Sequence, residues 1–162
     1  MPLFTIITPC YNSSRTLWLT YQSLLKQSLN DFEWVLVDDS SNDGGRTKFI
    51  IEKIKNEAPF FVKTYFLEKN YFATKSVATG CLMADGKYVA VLDHDDQLTP
   101  NSLATAKKYI DIYCDDPRVA GVCGRCINES AEMIGKKFKL DCLLANEGEI
   151  RFKHGITSEL FQ

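Results

Sequence analysis

The sequence lacks several features that would place the chain in common classes of protein. The N-terminus, MPLFTIITPCYNSS, reaches turn-forming residues after a handful of apolar ones, too few for a signal peptide or a membrane span. Neither sign of charge gathers into a block, with 19 basic against 21 acidic side chains, so nucleic acid is not an expected partner. We therefore expect a cytoplasmic protein with no transmembrane segment.

The sequence also lacks the loops that usually bind phosphates. Neither G-x-G-x-x-G nor the Walker pattern G-x-x-x-x-G-K-[ST] occurs, so any bound phosphate would depend on a metal. Cys123 and Cys126 have the spacing of zinc ligands, but no second pair follows and His154 is too isolated to complete a set. The 6 cysteines lie in apolar stretches, which favours buried thiols over a disulfide framework.

What the chain does have is an alternation of strand and helix patterns. Short apolar segments rich in β-branched and aromatic residues predict buried parallel strands at 3–8, 33–38, 61–67, 88–93 and 119–124. Helical periodicity lies between them, in segments that include 17–25, 50–54, 73–84 and 103–114. This order predicts an α/β fold with an open, mostly parallel, doubly wound and Rossmann-like sheet, whose ligands bind beyond the carboxyl ends of the strands.

The length suits a single domain. We expect residues 1–162 to form it, with an α/β core over 1–125 and a segment over 126–162 in which the alternation fades.

Polar residues follow three of the predicted strands, as TPCYN (8–12), VDDSSNDGG (37–45) and LDHDD (92–96). Asp93, Asp95 and Asp96 stand close enough to raise one another's pKa unless a cation neutralises them, and Mg²⁺ or Mn²⁺ prefers carboxylate oxygen. Magnesium usually binds one or two carboxylates together with substrate phosphates, which suggests a nucleotide or diphosphate ligand. A solvated turn with one acid capping the next helix explains this loop equally well when it is taken alone.

Taken in order, the stretches FTIITPCYN, WVLVDDSSNDGG and LEKNYFATKSVATGCLMADGKYVAVLDHDDQLTPNSL resemble family 2 glycosyltransferases, which have the GT-A fold. The resemblance covers about residues 3–105. It implies an inverting enzyme that moves a sugar from a nucleotide-sugar donor, with UDP favoured, to an acceptor hydroxyl. It also implies a saccharide or lipid-linked acceptor, polysaccharide biosynthesis, and a cytoplasmic location that extends to peripheral association with the inner face of a membrane.

The resemblance assigns roles to individual residues. Asp95 and Asp96, in and after the D-x-D signature, would hold Mn²⁺ or Mg²⁺, and Tyr11 would stack near the base. Asp39 would contact the uracil or ribose, and His94 is the variable residue of the signature. The positions assigned to the nucleotide sugar are Thr8, Pro9, Tyr11, Asp38, Asp39, Ser41, Asn70, Lys75, Asp93 and His94.

The sequence departs from the family in two places. Phe72 stands where the family often has Gly, and Val77 with Ala78 replaces an Arg-Asn pair, so Lys75 is the remaining candidate for a donor contact in this stretch. The family places its general base well downstream of the D-x-D. The nearby candidates are Asp141, Glu147, Glu149 and His154, each more typical of a surface residue. We therefore expect a truncated chain whose general base lies beyond Gln162.

Two other functions fit parts of the pattern. A non-catalytic nucleotide-sugar-binding module would explain the altered stretch at 70–80 and the missing base. A Mg²⁺-binding receiver domain also carries acids at strand ends, but its acidic pair follows the first strand, where this chain has Thr8-Pro9-Cys10-Tyr11.

Overall fold

A computed structural model describes residues 1–128 and 130–134. Strands and helices alternate along them as β1 Phe4–Cys10, α1 Leu17–Leu25, β2 Phe32–Asp38, α2 Arg46–Glu57, β3 Val62–Phe66, α3 Phe72–Met83, β4 Tyr88–Val91 and α4 Ser102–Tyr113. All strand pairs are parallel, in the order β3-β2-β1-β4. The predicted open α/β sheet is confirmed.

The chain divides into two units, Met1–Thr105 and a second that begins at Ala106. The first unit contains the whole sheet, and its described residues carry the three polar loops. The predicted division at residue 125 stays a prediction.

Helices cover both faces of the sheet because its two central strands are apolar on both faces. Every residue of β1 and β2 is buried. On one face Ile7 and Val37 pack against Met83 of α3. On the other face the ring of Trp34 stacks on Tyr21 of α1, with centroids 6.2 Å apart. Burial on both sides explains why these segments read as continuous apolar runs.

Two glycines bring the α3–β4 segment close to β1. A Cβ on Gly80 would lie 2.4 Å from Cγ2 of Ile7, so α3 packs on the sheet with no room for a side chain. A Cβ on Gly86 would lie 2.4 Å from the backbone N of Thr5. The turn before β4 therefore lies directly against the start of β1, which fixes where β4 begins.

A polar network at the amino-terminal edge of the sheet holds the same turn. The buried carboxylate of Glu33 accepts hydrogen bonds from Oγ1 of Thr5 (2.7 Å) and the backbone N–H of Asp85 (2.6 Å). Nζ of Lys63 lies 2.9 Å from Oε2 of Glu33 and donates to Oδ2 of Asp85 and the carbonyl of Met83, each at 2.7 Å. We call Glu33, Lys63 and Asp85 the carboxylate–lysine cluster.

Two expectations were wrong. Residues 119–124 form no strand, and most of them are exposed, because no neighbouring strand pairs with them in the described part of the chain. Cys10 is buried, but the remaining described cysteines, Cys81, Cys114, Cys123 and Cys126, are exposed.

Among the described residues, no helix is both long and apolar enough to cross a membrane.

Candidate functional site

The carboxyl ends of β1, β2 and β4 meet at one edge of the sheet because these strands run parallel. β2 lies on one side of β1 and β4 on the other, so the strand order reverses between β1 and β4. Ligands of doubly wound sheets bind at such a switch point. β4 ends at Val91 opposite Ile7, whereas β1 continues to Cys10, so the last residues of β1 extend beyond the end of β4.

The acidic loop, residues 92–101, begins directly after β4, where the backbone N–H of Leu92 donates to the carbonyl of Ile7. The backbone N–H of Asp96 donates to the carbonyl of Asp93 at 3.1 Å, which makes 93–96 a tight turn. Desolvation of its carboxyl group and the charges of Asp95 and Asp93 raise the pKa of Asp96, and His94 lowers it to a smaller extent. Because Asp96 remains open to solvent, a cation could reach it and relieve the like-charge part of this effect.

The described residues provide no ion-pair partner for the carboxylates of the acidic loop. Among the ion pairs of residues 1–128 and 130–134, none involves Asp93, Asp95 or Asp96. In the same residues no three His, Cys, Asp or Glu side chains already converge as a ligand set. The carboxylates thus offer hard oxygen ligands but an incomplete shell, which suits an ion that takes its other ligands from a diphosphate.

The loops after β1 and β2 are tied together by side chains. The backbone N–H of Asn12 donates to Oγ of Ser41 at 2.8 Å, and Ser41 Oγ donates to Oδ1 of Asp38 at 2.5 Å. The side chain of Asn12 makes two further bonds to Asn42: its Nδ2 donates to Oδ1 of Asn42 at 2.9 Å, and its Oδ1 accepts the backbone N–H of Asn42 at 3.0 Å. Asn12 and Ser40 have positive φ, 52° and 59°, which these bonds hold in place. The two loops therefore form one preorganised wall.

The other predicted residues of this wall lie at different depths. Thr8 is fully buried inside β1, and its hydroxyl accepts a hydrogen bond from the indole N–H of Trp34 at 2.8 Å. Pro9 is buried beside it, and Tyr11 is 40% exposed. Oδ1 of Asp39 accepts the backbone N–H of Tyr71 at 2.8 Å. The assignment of these residues to a nucleotide stays a prediction, with Tyr11 the most accessible of the group.

The start of α3 carries the unusual residue at 72. Oδ1 of Asn70 accepts the backbone N–H of Phe72 at 2.9 Å, and Lys75 is exposed one turn later. Phe72 has φ of 66° and is 79% exposed. A positive φ is strained for a bulky residue and free of strain for Gly. The backbone at position 72 therefore has a conformation that Gly would adopt without strain.

Replacing Phe72 with Gly is expected to stabilise the fold by about 0.5–1 kcal/mol, because relief of roughly 1–2 kcal/mol of left-handed strain exceeds the entropy cost of Gly. Thermal or urea unfolding measures the change. Phe72→Ala keeps the Cβ and the strain while removing the ring, so it should bring no gain. If both variants were stabilised equally, the destabilising feature of Phe72 would be its exposed ring. That result would contradict the explanation by strain at positive φ.

Sequence reasoning missed a row of polar side chains on α1 and directly flanking it that bonds to the acidic loop. We call it the α1 polar row; its members are Thr16, Thr20, Ser23 and Gln27. The signal was available, because these positions recur every third or fourth residue on an otherwise apolar helix. His94 is one of the residues that this row contacts, since its Nδ1 lies 3.0 Å from Oγ1 of Thr16.

The candidate general bases Asp141, Glu147, Glu149 and His154 lie outside the described residues.

Comparison with known proteins gives consistent results. The sequence profile of glycosyl transferase family 2 matches residues 5–149. The chain is 33% identical over 136 residues to poly(ribitol-phosphate) beta-N-acetylglucosaminyltransferase TarS of Staphylococcus aureus, covering 80% of this chain and 23% of TarS. It is 29% identical over 141 residues to the GalNAc(5)-diNAcBac-PP-undecaprenol beta-1,3-glucosyltransferase of Campylobacter jejuni, covering 85% of this chain and 42% of that protein.

Solved structures give the same result. The crystal structure of S. aureus TarS 1-349 in complex with UDP-GlcNAc aligns with a TM-score of 0.63 at 33% identity, covering 68% of this chain and 32% of that one. The mannosyltransferase PcManGT of Pyrobaculum calidifontis, in complex with GDP-Man and Mn²⁺, shares the fold, with a TM-score of 0.63 at 23% identity over 73% of this chain and 34% of that one.

The chain spans less than half the length of each of these relatives. The profile nevertheless matches most of it and includes all three polar loops. The resemblance stated from the sequence is confirmed: the chain belongs to glycosyl transferase family 2 and has the GT-A fold.

Proposed function

We propose that this chain is the donor-binding portion of an inverting glycosyltransferase, which moves a sugar from a UDP-sugar to an acceptor hydroxyl. The observation that carries the proposal is the acidic loop. It places Asp93, Asp95 and Asp96 beside the switch point of the sheet, and none of them forms an ion pair with another described residue. Ligand binding at that edge is the general rule for this type of sheet.

The donor set fits a divalent cation of the Mn²⁺ or Mg²⁺ type. Asp95 and Asp96 would hold it, because their carboxylates are hard oxygen ligands and both are open to solvent. When bound, such an ion supplies Lewis-acid stabilisation of the charge on the nucleoside diphosphate leaving group.

The remaining residues of the site would bind and orient the nucleotide. Tyr11 is exposed at the end of β1, where its ring is available to stack on a base. Asp39 would accept a hydrogen bond from the uracil or ribose, and its bond to the Tyr71 N–H fixes the position of the carboxylate. Asp93 would bind the ribose from the opposite side of the crevice. The exposed ammonium of Lys75 would pair with a phosphate or the sugar.

The acceptor is proposed to be a saccharide or polyol chain, either polymeric or lipid-linked. TarS is named for a poly(ribitol-phosphate) acceptor, and the Campylobacter relative for an undecaprenol-linked one. Both names specify beta-linked products, which inversion of an α-linked nucleotide sugar would give. We place the general base outside the described residues, and we propose a cytoplasmic location at or near a membrane.

A second candidate function is donor binding without transfer. Phe72, Val77 and Ala78 replace residues through which the family often contacts the donor, and this favours a non-catalytic module. Release of UDP from UDP-GlcNAc or UDP-glucose by the protein separates the two functions, because a binding module would release none. The receiver alternative is wrong, since the chain belongs to a glycosyltransferase family.

The donor proposal predicts that UDP stabilises the protein only in the presence of Mn²⁺. A ligand at about 100 times its Kd adds roughly 2.7 kcal/mol to the free energy of unfolding. Thermal unfolding with UDP, GDP and dTDP, each with MnCl₂ or with EDTA, measures this, and UDP with Mn²⁺ should give the largest shift. Equal shifts with and without Mn²⁺, or none with any nucleotide, would contradict the proposal.

A further inference from the structure

The α1 polar row holds the acidic loop along its whole length. At its first position Oγ1 of Thr16 bonds to the ring of His94, and further along Oγ of Ser23 accepts the backbone N–H of Leu98 at 3.1 Å. Gln27 closes the row, because its side chain donates to the carbonyl of Thr99 at 2.9 Å and accepts the N–H of Leu103 at 3.2 Å. These bonds join residues more than 70 positions apart in the chain.

Thr20 occupies the position in this row that bonds to the tight turn at 93–96 of the acidic loop. Its Oγ1 lies 2.8 Å from the carbonyl oxygen of His94 and 2.9 Å from that of Asp96. These two carbonyls belong to the residues on either side of Asp95. One hydroxyl, sharing its proton between the two oxygens, therefore holds the peptide group before Asp95 and the peptide group after Asp96. The backbone segment between them carries Asp95, so these bonds restrain the direction in which its side chain leaves the backbone.

Helix formation and packing do not require a hydroxyl at this position. Thr20 is fully buried on a helix whose other buried positions are mostly apolar, and a valine of the same shape would fill the space. Hydroxyls within helices often bond to the carbonyl one turn earlier, whereas this one bonds to the acidic loop. The loop has no regular secondary structure and carries like charges that repel one another, so it depends on such external bonds.

We propose that Thr20 is a positioning residue that aims the Asp95 carboxylate at the divalent cation of the donor site. This inference rests on the proposed function. Thr20 contacts neither ion nor nucleotide in the proposal; it acts through the backbone on both sides of Asp95. Groups that orient ligands in this way commonly contribute about tenfold or more to metal affinity.

The test compares Thr20→Val with Thr5→Val. Both threonines are fully buried and lose one hydrogen-bonding hydroxyl, but Thr5 lies at the opposite edge of the sheet, where it donates to Glu33. Calorimetric titration gives the Kd of UDP in EDTA and at a series of MnCl₂ concentrations, and thermal unfolding gives the stability of each variant. We expect Thr20→Val to require about tenfold more Mn²⁺ for half-maximal UDP binding. Thr5→Val should need the wild-type concentration, and Thr20→Ser should restore it.

The outcomes separate the inference from the function on which it rests. If Thr20→Val is destabilised like Thr5→Val but keeps the wild-type dependence on Mn²⁺, Thr20 has a structural role alone and the inference is overturned. If the wild-type protein shows no Mn²⁺-dependent UDP binding, the proposed function fails first. Should Thr20→Val not fold, Thr20→Ala is measured instead, because Ala favours the helix and also lacks the hydroxyl.

Discussion

Asp95→Ala is expected to abolish the increase in melting temperature that UDP and Mn²⁺ together produce. At about 100 times the Kd, that increase corresponds to roughly 2.7 kcal/mol, or about 5–10 °C for a chain of this size. The physical reason is that the ion would lose one of its two protein carboxylates. With only one of the two proposed protein ligands left, the diphosphate would no longer be held through the ion.

The same substitution is expected to leave the ligand-free protein as stable as the wild type, or slightly more stable. Asp95 is exposed, and its charge is one of the causes that raise the pKa of Asp96. Its removal relieves like-charge repulsion and should lower the pKa of Asp96 toward its ordinary value. Asp95 is thus expected to lower the stability of the ligand-free protein and to be required for its stabilisation by UDP and Mn²⁺. This combination is typical of a binding residue and not of a structural one.

Asp31→Ala is the matched control, since it removes an exposed carboxylate directly before β2, at the edge of the sheet opposite the donor site. It should retain the full response to UDP and Mn²⁺. If Asp95→Ala also retained that response, the metal ligands would have to be reassigned to Asp93 and Asp96. Thermal unfolding of the three proteins, with and without UDP and Mn²⁺, decides between these results.

The order of strands and helices was predictable because local pattern determines it. β1 and β2 are buried on both faces, and their sequences show this as unbroken apolar runs. The segment 119–124 has similar composition but pairs with no strand among the residues that the structure describes. Composition indicates that a segment could form a strand, whereas the presence of a partner depends on tertiary structure.

The candidate site was predictable to the level of its loops and no further. Parallel strands bring their carboxyl ends together, so the clustering of the loops after β1, β2 and β4 followed from the fold class. The sequence did not reveal that both oxygens of Asp38 bond to Ser41. It also did not reveal that Thr20 reaches residues 74 and 76 positions away. Such contacts depend on how α1 and the acidic loop pack.

The carboxylate–lysine cluster was equally hidden from sequence reasoning, although it is central to the stability of the sheet. Glu33 is 2% exposed and belongs to a strand that otherwise reads as apolar. Burial raises the pKa of Glu33, but hydrogen bonds from Thr5, Lys63 and Asp85, with the charge of Lys63, outweigh burial and lower it overall. The ionised form is therefore the one that the fold stabilises.

Glu33→Gln is expected to destabilise the protein by about 3 kcal/mol at neutral pH, because it leaves the Lys63 ammonium beside a neutral amide in a largely buried site. The pH dependence has a definite sign. Since the pKa of Glu33 is lower in the folded state, its stabilisation is complete above the unfolded value of about 4.3 and is lost as the pH falls through the folded pKa. The difference between wild type and variant should therefore shrink below about pH 4.3.

Asp85→Asn is the comparison that separates the effect of burial of the carboxylate from the effect of pairing with Lys63. Asp85 pairs with the same lysine at 2.7 Å, but its side chain is 68% exposed, so its removal should cost no more than about 1 kcal/mol. Urea unfolding of both variants and the wild type from pH 7 down to about pH 3 spans the unfolded pKa of Glu33. Equal losses for the two variants, or a loss for Glu33→Gln that persists at the acid end, would mean that the ionised Glu33 is not what holds this edge of the sheet.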